Sequence, residues 1–175
     1  MIIGQVNLLK KLDSFNINTL PRAILLVGEE GCGKKMISKY LADKLNLKLI
    51  NIKEKIETEQ LVNYQYCLNK TLFVIDLRNF LTKEGKNQNN FLKFIEEPGK
   101  NAYIMLLANS EVGILPTILN RCVKFYFESY TTEDLKKSQW LNPTNNDLLY
   151  KICRTPGQLQ KTSEEELNKA QELCE

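Results

Sequence analysis

Histidine is missing from all 175 residues. Its absence removes Ser-His and Cys-His nucleophile pairs, H-E-x-x-H metal sites and histidine general bases. Any chemistry must come from carboxylates, lysine, arginine or a bound metal. Cysteine is present but unpatterned: Cys32, Cys67, Cys122, Cys153 and Cys174 are odd in number and form no C-x-x-C. That usage predicts free thiols in a reducing compartment, with neither disulfides nor zinc. No run reaches the roughly 18 apolar residues of a membrane span. "MIIGQVNLLKKL" places no basic stretch ahead of an apolar one and has no small-residue cleavage site. The expected location is cytoplasmic, with no membrane partner. One-sided charge is lacking too. The 24 basic and 21 acidic residues leave +3, too little to identify a nucleic-acid binder.

What is present is an alternation of apolar runs and amphipathic stretches. "IIGQVNLLKKLDSF" has the pattern of a short amphipathic helix. "AILLV" (23–27), "LKLINI" (47–52), "TLFVID" (71–76), "AYIMLLAN" (102–109) and "VKFYF" (123–127) predict strands, the last of them a core strand. Between them, residues from Met36 to Leu45, "ETEQLVNYQYCL", "NNFLKFIEEPG" and "PTILNRC" predict helices. Strands that alternate with helices imply an α/β fold with a parallel sheet. Past residue 128 the apolar strands stop. "TTEDLKK", "NPTNNDLLYKIC", "TPGQLQK" and "TSEEELNKAQELCE" each offer a Thr, Ser or Asn cap before a short helix. Residues 1–128 are therefore expected to form the core domain and 129–175 a small helical lid.

"GEEGCGKK" (28–35) nearly matches the phosphate loop G-x-x-x-x-G-K-[ST]. In such a loop glycines let backbone N–H groups close around phosphate oxygens, and the helix that follows adds partial positive charge. Gly28, Gly31, Cys32, Gly33, Lys34 and Lys35 are the expected nucleotide-binding residues, with Lys34 reaching the phosphates; an ordinary glycine turn is the plain alternative. The hydroxyl that normally binds Mg²⁺ is replaced by Lys35, whose ammonium has no lone pair to donate. Lys35 reads either as a surrogate cation or as a solvated first-turn lysine. Asp76 ends a buried strand where many ATPases hold Mg²⁺, but the glutamate that orients water is replaced by Leu77. Asp76 reads equally as a metal residue or as a strand-end cap. Cys32, beside Lys34 at a helix start, is expected to be the most reactive thiol.

Taken together, "IIGQ", "AILLVGEEGCGKK", "LFVIDLRN", "NNFLKFIEEP", "AYIMLLANS" and "ILPTILNRC" resemble AAA+ clamp-loader subunits in order and spacing, over roughly residues 2–127. "NNFLKFIEEP" is similar to the family's N-A-L-L-K-x-L-E-E-P helix and "LPTILNRC" to its L-P-T-I-x-S-R-C motif. The bacterial DNA polymerase III delta-prime subunit looks closest, because ATPase motifs are often eroded in that branch. The resemblance implies a P-loop NTPase (AAA+) sheet with flanking helices and a lid. It implies that other clamp-loader subunits, the sliding clamp and primer-template DNA are partners, and that ATP or ADP with Mg²⁺ is the cofactor. It places Asn109 at the sensor-1 position and makes Arg121 a finger reaching a neighbouring subunit's nucleotide. Lys83, Lys86 and Lys93 would lie near the DNA backbone, where phosphate contact needs only charge and donors.

The departures are as telling. Asn120 stands where the motif has serine, Gln158, Leu159 and Gln160 offer no sensor-2 arginine, and the family's cysteine zinc module and collar domain are expected to be absent. Three groups used in hydrolysis are altered together, which predicts a subunit with little turnover of its own. Two alternatives are an active clamp-loader ATPase that tolerates Lys35 and Leu77, and a small P-loop nucleotide kinase. A kinase needs an arginine-rich lid over its phosphates, and residues 129–175 contain only Arg154.

Overall fold

The computed structural model describes residues 2–52, 58–79, 92–138 and 147–162. Five strands form one sheet: β1 (Ala23–Val27), β2 (Lys48–Ile52), β3 (Thr71–Asp76), β4 (Ala102–Ala108) and β5 (Val123–Tyr126). Their order is β2-β3-β4-β1-β5, and every pairing is parallel. Every residue of β1, β3 and β4 is buried, as expected of central strands covered on both faces.

Alternate side chains feed two cores. On one face Ile24, Leu26, Leu72, Val74 and Met105 pack beneath α1 (Val6–Asp13) and α2 (Lys34–Lys44). The helices contribute Leu8 and Leu12, then Ile37 and Leu41, at the four-residue spacing of one helical stripe. On the other face Leu25, Phe73, Ile75, Ile104 and Leu106 meet α3 (Thr58–Gln65), α4 (helical residues 92–96) and α5 (Pro116–Leu119). Phe73 is the hub of that face. Its ring lies 4.8 Å from that of Tyr64 and 5.4 Å, edge to face, from that of Phe94.

"VKFYF" departs from expectation. It forms an edge strand rather than a core one, with Val123 44% and Tyr126 54% exposed. Only Phe125 is buried within it, because β5 has a neighbour on one side alone. Apolar composition signals a strand but does not say how many neighbours it has.

Beyond β5, α6 (Thr132–Lys137), α7 (Asp147–Ile152) and α8 (Pro156–Lys161) share a third cluster of Leu135, Leu149, Tyr150, Cys153 and Leu159. Thr131 caps α6 in a reciprocal box with Asp134, and Thr155 caps α8 ahead of Pro156. "TSEEELNKAQELCE" lies outside the described residues from Ser163 onward, as do Lys83 and Lys86. None of the described helices is long and apolar enough to cross a membrane.

Candidate functional site

The glycine loop leaves the carboxyl end of β1, beside the ends of β4 and β3, the usual position for a ligand in a parallel α/β sheet. Gly31 and Gly33 adopt φ values of +81° and +97°, and Gly33 caps α2. Only glycine takes that left-handed conformation without strain.

The loop's carbonyls are consumed one by one. Lys34 Nζ donates to the oxygens of Gly28 (2.5 Å) and Glu29 (2.9 Å). Thr155 Oγ1 donates to Glu30 O at 2.8 Å, Gly157 N–H to Gly31 O at 3.0 Å and Tyr130 O–H to Cys32 O at 2.6 Å. Gly33 O accepts the amides of Met36 and Ile37 in the first turn of α2. By contrast, the amides of Gly31, Gly33 and Lys35 donate to no acceptor among the described residues. With its acceptors capped and these donors open, the loop is an anion nest.

Three of those caps come from residues past β5, so the helical segment is fastened to the loop. The approach is close: a Cβ on Gly157 would fall 2.5 Å from Gly31 Cα. Lys161 extends the fastening with an ion pair to Glu30 at 3.1 Å. That hydrogen bond holds the Glu30 carboxyl below its ordinary pKa. No sensor-2 arginine stands at positions 158–160, and Gln158 and Leu159 have other roles. Gln158 caps the Arg154 amide and Leu159 is buried in the helical cluster, while two cations on either side turn toward the loop, Lys161 to Glu30 at 3.1 Å and Arg154 to Glu29 at 3.9 Å.

Asn109, just past β4, accepts a hydrogen bond from Lys34 Nζ at 3.1 Å. The expected sensor-1 residue and the expected phosphate lysine are thus brought together. Lys34 is buried, and burial lowers its pKa.

Asp76 is placed as expected, yet its carboxylate is already taken. Arg78 grips both oxygens, Nε to Oδ1 at 2.9 Å and Nη2 to Oδ2 at 2.7 Å. The 3₁₀ turn Leu77–Asn79 folds Arg78 back onto the strand end and gives this forked geometry. Arg78's hydrogen bonds hold the Asp76 carboxyl below its ordinary pKa. Lys35 Nζ stands 3.9 Å from the same carboxylate, while its own side chain remains 71% exposed. Arg78 Nη1 also reaches Glu30 at 3.4 Å. A continuous charge chain therefore runs from Asp76 through Arg78 and Glu30 to Lys161. Arg78, Glu30 and Lys161 were not singled out in the sequence. The available signal was a basic residue two positions after the strand-end acid.

The donor set does not fit Mg²⁺. Octahedral magnesium requires oxygen ligands. Here an ammonium stands in place of the hydroxyl, and Asp76, the one buried carboxylate among the described residues, is neutralised by a guanidinium.

Cys32 corrects an expectation. It is buried, and burial pushes its thiol pKa up even though Lys34 opposes the shift. Burial likewise pushes Cys122 to about 11. Half-buried Cys67 is therefore expected to alkylate ahead of both at mildly alkaline pH. Peptide mapping after a short iodoacetamide pulse checks this, and faster labelling at Cys32 would contradict the closed loop.

Arg121 lies elsewhere, just past α5, and shares no partner with the loop among the described residues. Its Nη1 donates to Thr117 O at 2.8 Å and its Nη2 pairs with Glu96 at 2.7 Å. Two of the motifs in the family resemblance, "NNFLKFIEEP" and "LPTILNRC", thus meet through this ion pair. Lys93 is exposed on α4, one turn before Glu97.

Parallel order, glycine loop and strand-end acid define a P-loop NTPase fold of the AAA+ type. Solved structures agree. The RuvB Holliday junction branch migration motor of Thermotoga maritima superposes with a TM-score of 0.69 at 18% identity, over 91% of this chain and 60% of RuvB. The FIGL-1 AAA domain in complex with ADP gives 0.69 at 15% identity, over 98% of this chain and 73% of that one. This chain thus spans about 60% of the RuvB length. At such identities the likeness is one of fold. No curated protein matches the chain in sequence. Residues 48–131, from β2 to the start of the helical segment, match the family DNA polymerase III, delta subunit. That match, over 84 of the 175 residues, agrees with the clamp-loader resemblance read from the motifs of the same segment.

Proposed function

We propose that this chain is a delta-prime-like subunit of a cytoplasmic clamp loader. It hydrolyses little or no ATP itself, and it supplies Arg121 in trans to a neighbouring subunit's nucleotide. Its partners are other clamp-loader subunits, the sliding clamp and primer-template DNA, with Lys83, Lys86 and Lys93 as phosphate contacts. Residues 1–128 act as the core domain and 129–175 as the lid. The observation that carries this reading is the capture of Asp76 by Arg78. Hydrolysis needs a metal at that carboxylate, and a guanidinium holds both of its oxygens. Leu77 is buried and apolar, so nothing next to Asp76 activates water. Arg121, in contrast, is 39% exposed and projects from the motif that most resembles the family's finger. A guanidinium is permanently charged and forked to match phosphate oxygens.

Losing one positioning or electrostatic group typically costs about 10²–10³ in rate. With several altered, the purified chain is expected to turn over ATP below about 0.1 s⁻¹, under the usual enzyme range. A phosphate-release assay with and without primed DNA checks this. Faster turnover, abolished by Lys34→Ala, would restore the reading of an active ATPase.

A further inference from the structure

Arg78 stands where a P-loop ATPase has its metal. We propose that the loop is a metal-free site for a pyrophosphate-class anion, with the Arg78 guanidinium in the place of Mg²⁺. The inference goes beyond the clamp-loader reading: that reading concerns Arg121 and a neighbour's nucleotide, this one the chain's own loop.

Three independent features support it. First, the nest is open to an anion, since the amides of Gly31, Gly33 and Lys35 make no hydrogen bond among the described residues. The loop's acceptors, which would repel an anion, are all occupied by donors of the chain. Second, a cleft of about 210 Å³ opens over the nest, lined by Lys34, Lys35, Arg78 and Lys161 against only two carboxylates, Glu30 and Asp76. The cleft is therefore net positive without any metal. Third, Arg78 has donors to spare. A guanidinium carries five N–H groups in a fixed fork. Two of them are held by Asp76, which orients the group, and Nη1 meets only an exposed Glu30 at 3.4 Å. Phosphate oxygens arriving in the cleft can displace Glu30 from Arg78 and Lys161 while Asp76 keeps the fork in place. Mg²⁺ adds nothing there, because its ligand positions belong to Lys35 and Arg78.

The test is calorimetric titration of inorganic pyrophosphate into the full chain, in EDTA and in millimolar Mg²⁺. Wild type is expected to bind in EDTA, and no more tightly in Mg²⁺. Arg78→Ala should weaken binding in EDTA by about tenfold or more, since charge-assisted forked contacts are the strong ones. Arg78→Lys should recover only part of that loss. The double substitution Lys35→Thr with Arg78→Ala frees Asp76 and restores a hydroxyl, so its binding should strengthen when Mg²⁺ is added. Circular dichroism verifies that each variant is folded. Wild-type binding that requires Mg²⁺, Arg78→Ala binding like wild type in EDTA, or no binding in either buffer would each overturn the proposal. None of these outcomes bears on Arg121, whose test is a partner's turnover.

Discussion

Replacing Arg121 by alanine is expected to lower ATP turnover of the assembled clamp loader by about 10³-fold or more, the range a trans arginine supplies. Folding and assembly should be nearly unchanged. Arg121 and Glu96 are 39% and 41% exposed, and surface ion pairs of that kind contribute about 0–1 kcal/mol. Glu96 and the Thr117 carbonyl hold the guanidinium at the end of α5, so the fork is presented in a fixed orientation. Arg121→Lys should not rescue, because an ammonium cannot reproduce a forked contact. Lys34→Ala should be milder in the same assay, because it alters only this chain's own loop. The comparison requires reconstitution with the ATPase partner and steady-state turnover on primed DNA. Equal turnover of Arg121→Ala and wild type in a fully assembled complex would withdraw the finger assignment.

Phe73→Ala is expected to destabilise the isolated chain by about 3–5 kcal/mol, the range for a buried phenylalanine. Phe73 is fully buried at the centre of β3 and holds Tyr64 of α3 and Phe94 of α4 against the sheet. The aromatic contacts add to the cavity term. A domain stabilised by only about 5–15 kcal/mol cannot absorb such a loss unnoticed. Urea unfolding should show a lower midpoint with an unchanged slope. Phe73→Leu, which keeps most of the volume, should cost clearly less. A loss under about 1 kcal/mol for Phe73→Ala would mean that α3 and α4 do not pack on this ring.

Much of the fold was legible because burial on both faces writes itself as apolar runs: "AILLV", "TLFVID" and "AYIMLLA" are the three central strands. The start of α8 was legible for another reason, a threonine cap followed by Pro156. The edge position of β5 was not, since strand neighbours are fixed by tertiary pairing. At the site, the glycine turns, Lys34 and the end of Asp76's strand followed from local pattern. The pairing of Lys34 with Asn109 required β1 and β4 to be adjacent, which the sequence order conceals. Arg78 was overlooked because its role depends on a single 3₁₀ turn that bends it back onto Asp76. Cys32 was misjudged because proximity to Lys34 argues for a thiolate while burial argues against one, and only the structure shows which prevails.

The central proposal is that this chain acts on a neighbour's ATP rather than on its own. The most direct measurement is the ATP turnover of the partner ATPase subunit, with its clamp and primed DNA present, as this chain is titrated in. Turnover is expected to rise to saturation with added wild-type chain, to rise with Lys34→Ala far more than with Arg121→Ala, and to stay at the basal level with Arg121→Ala despite undiminished binding. Turnover that follows Lys34 instead of Arg121, or that does not respond to the chain at all, would contradict it.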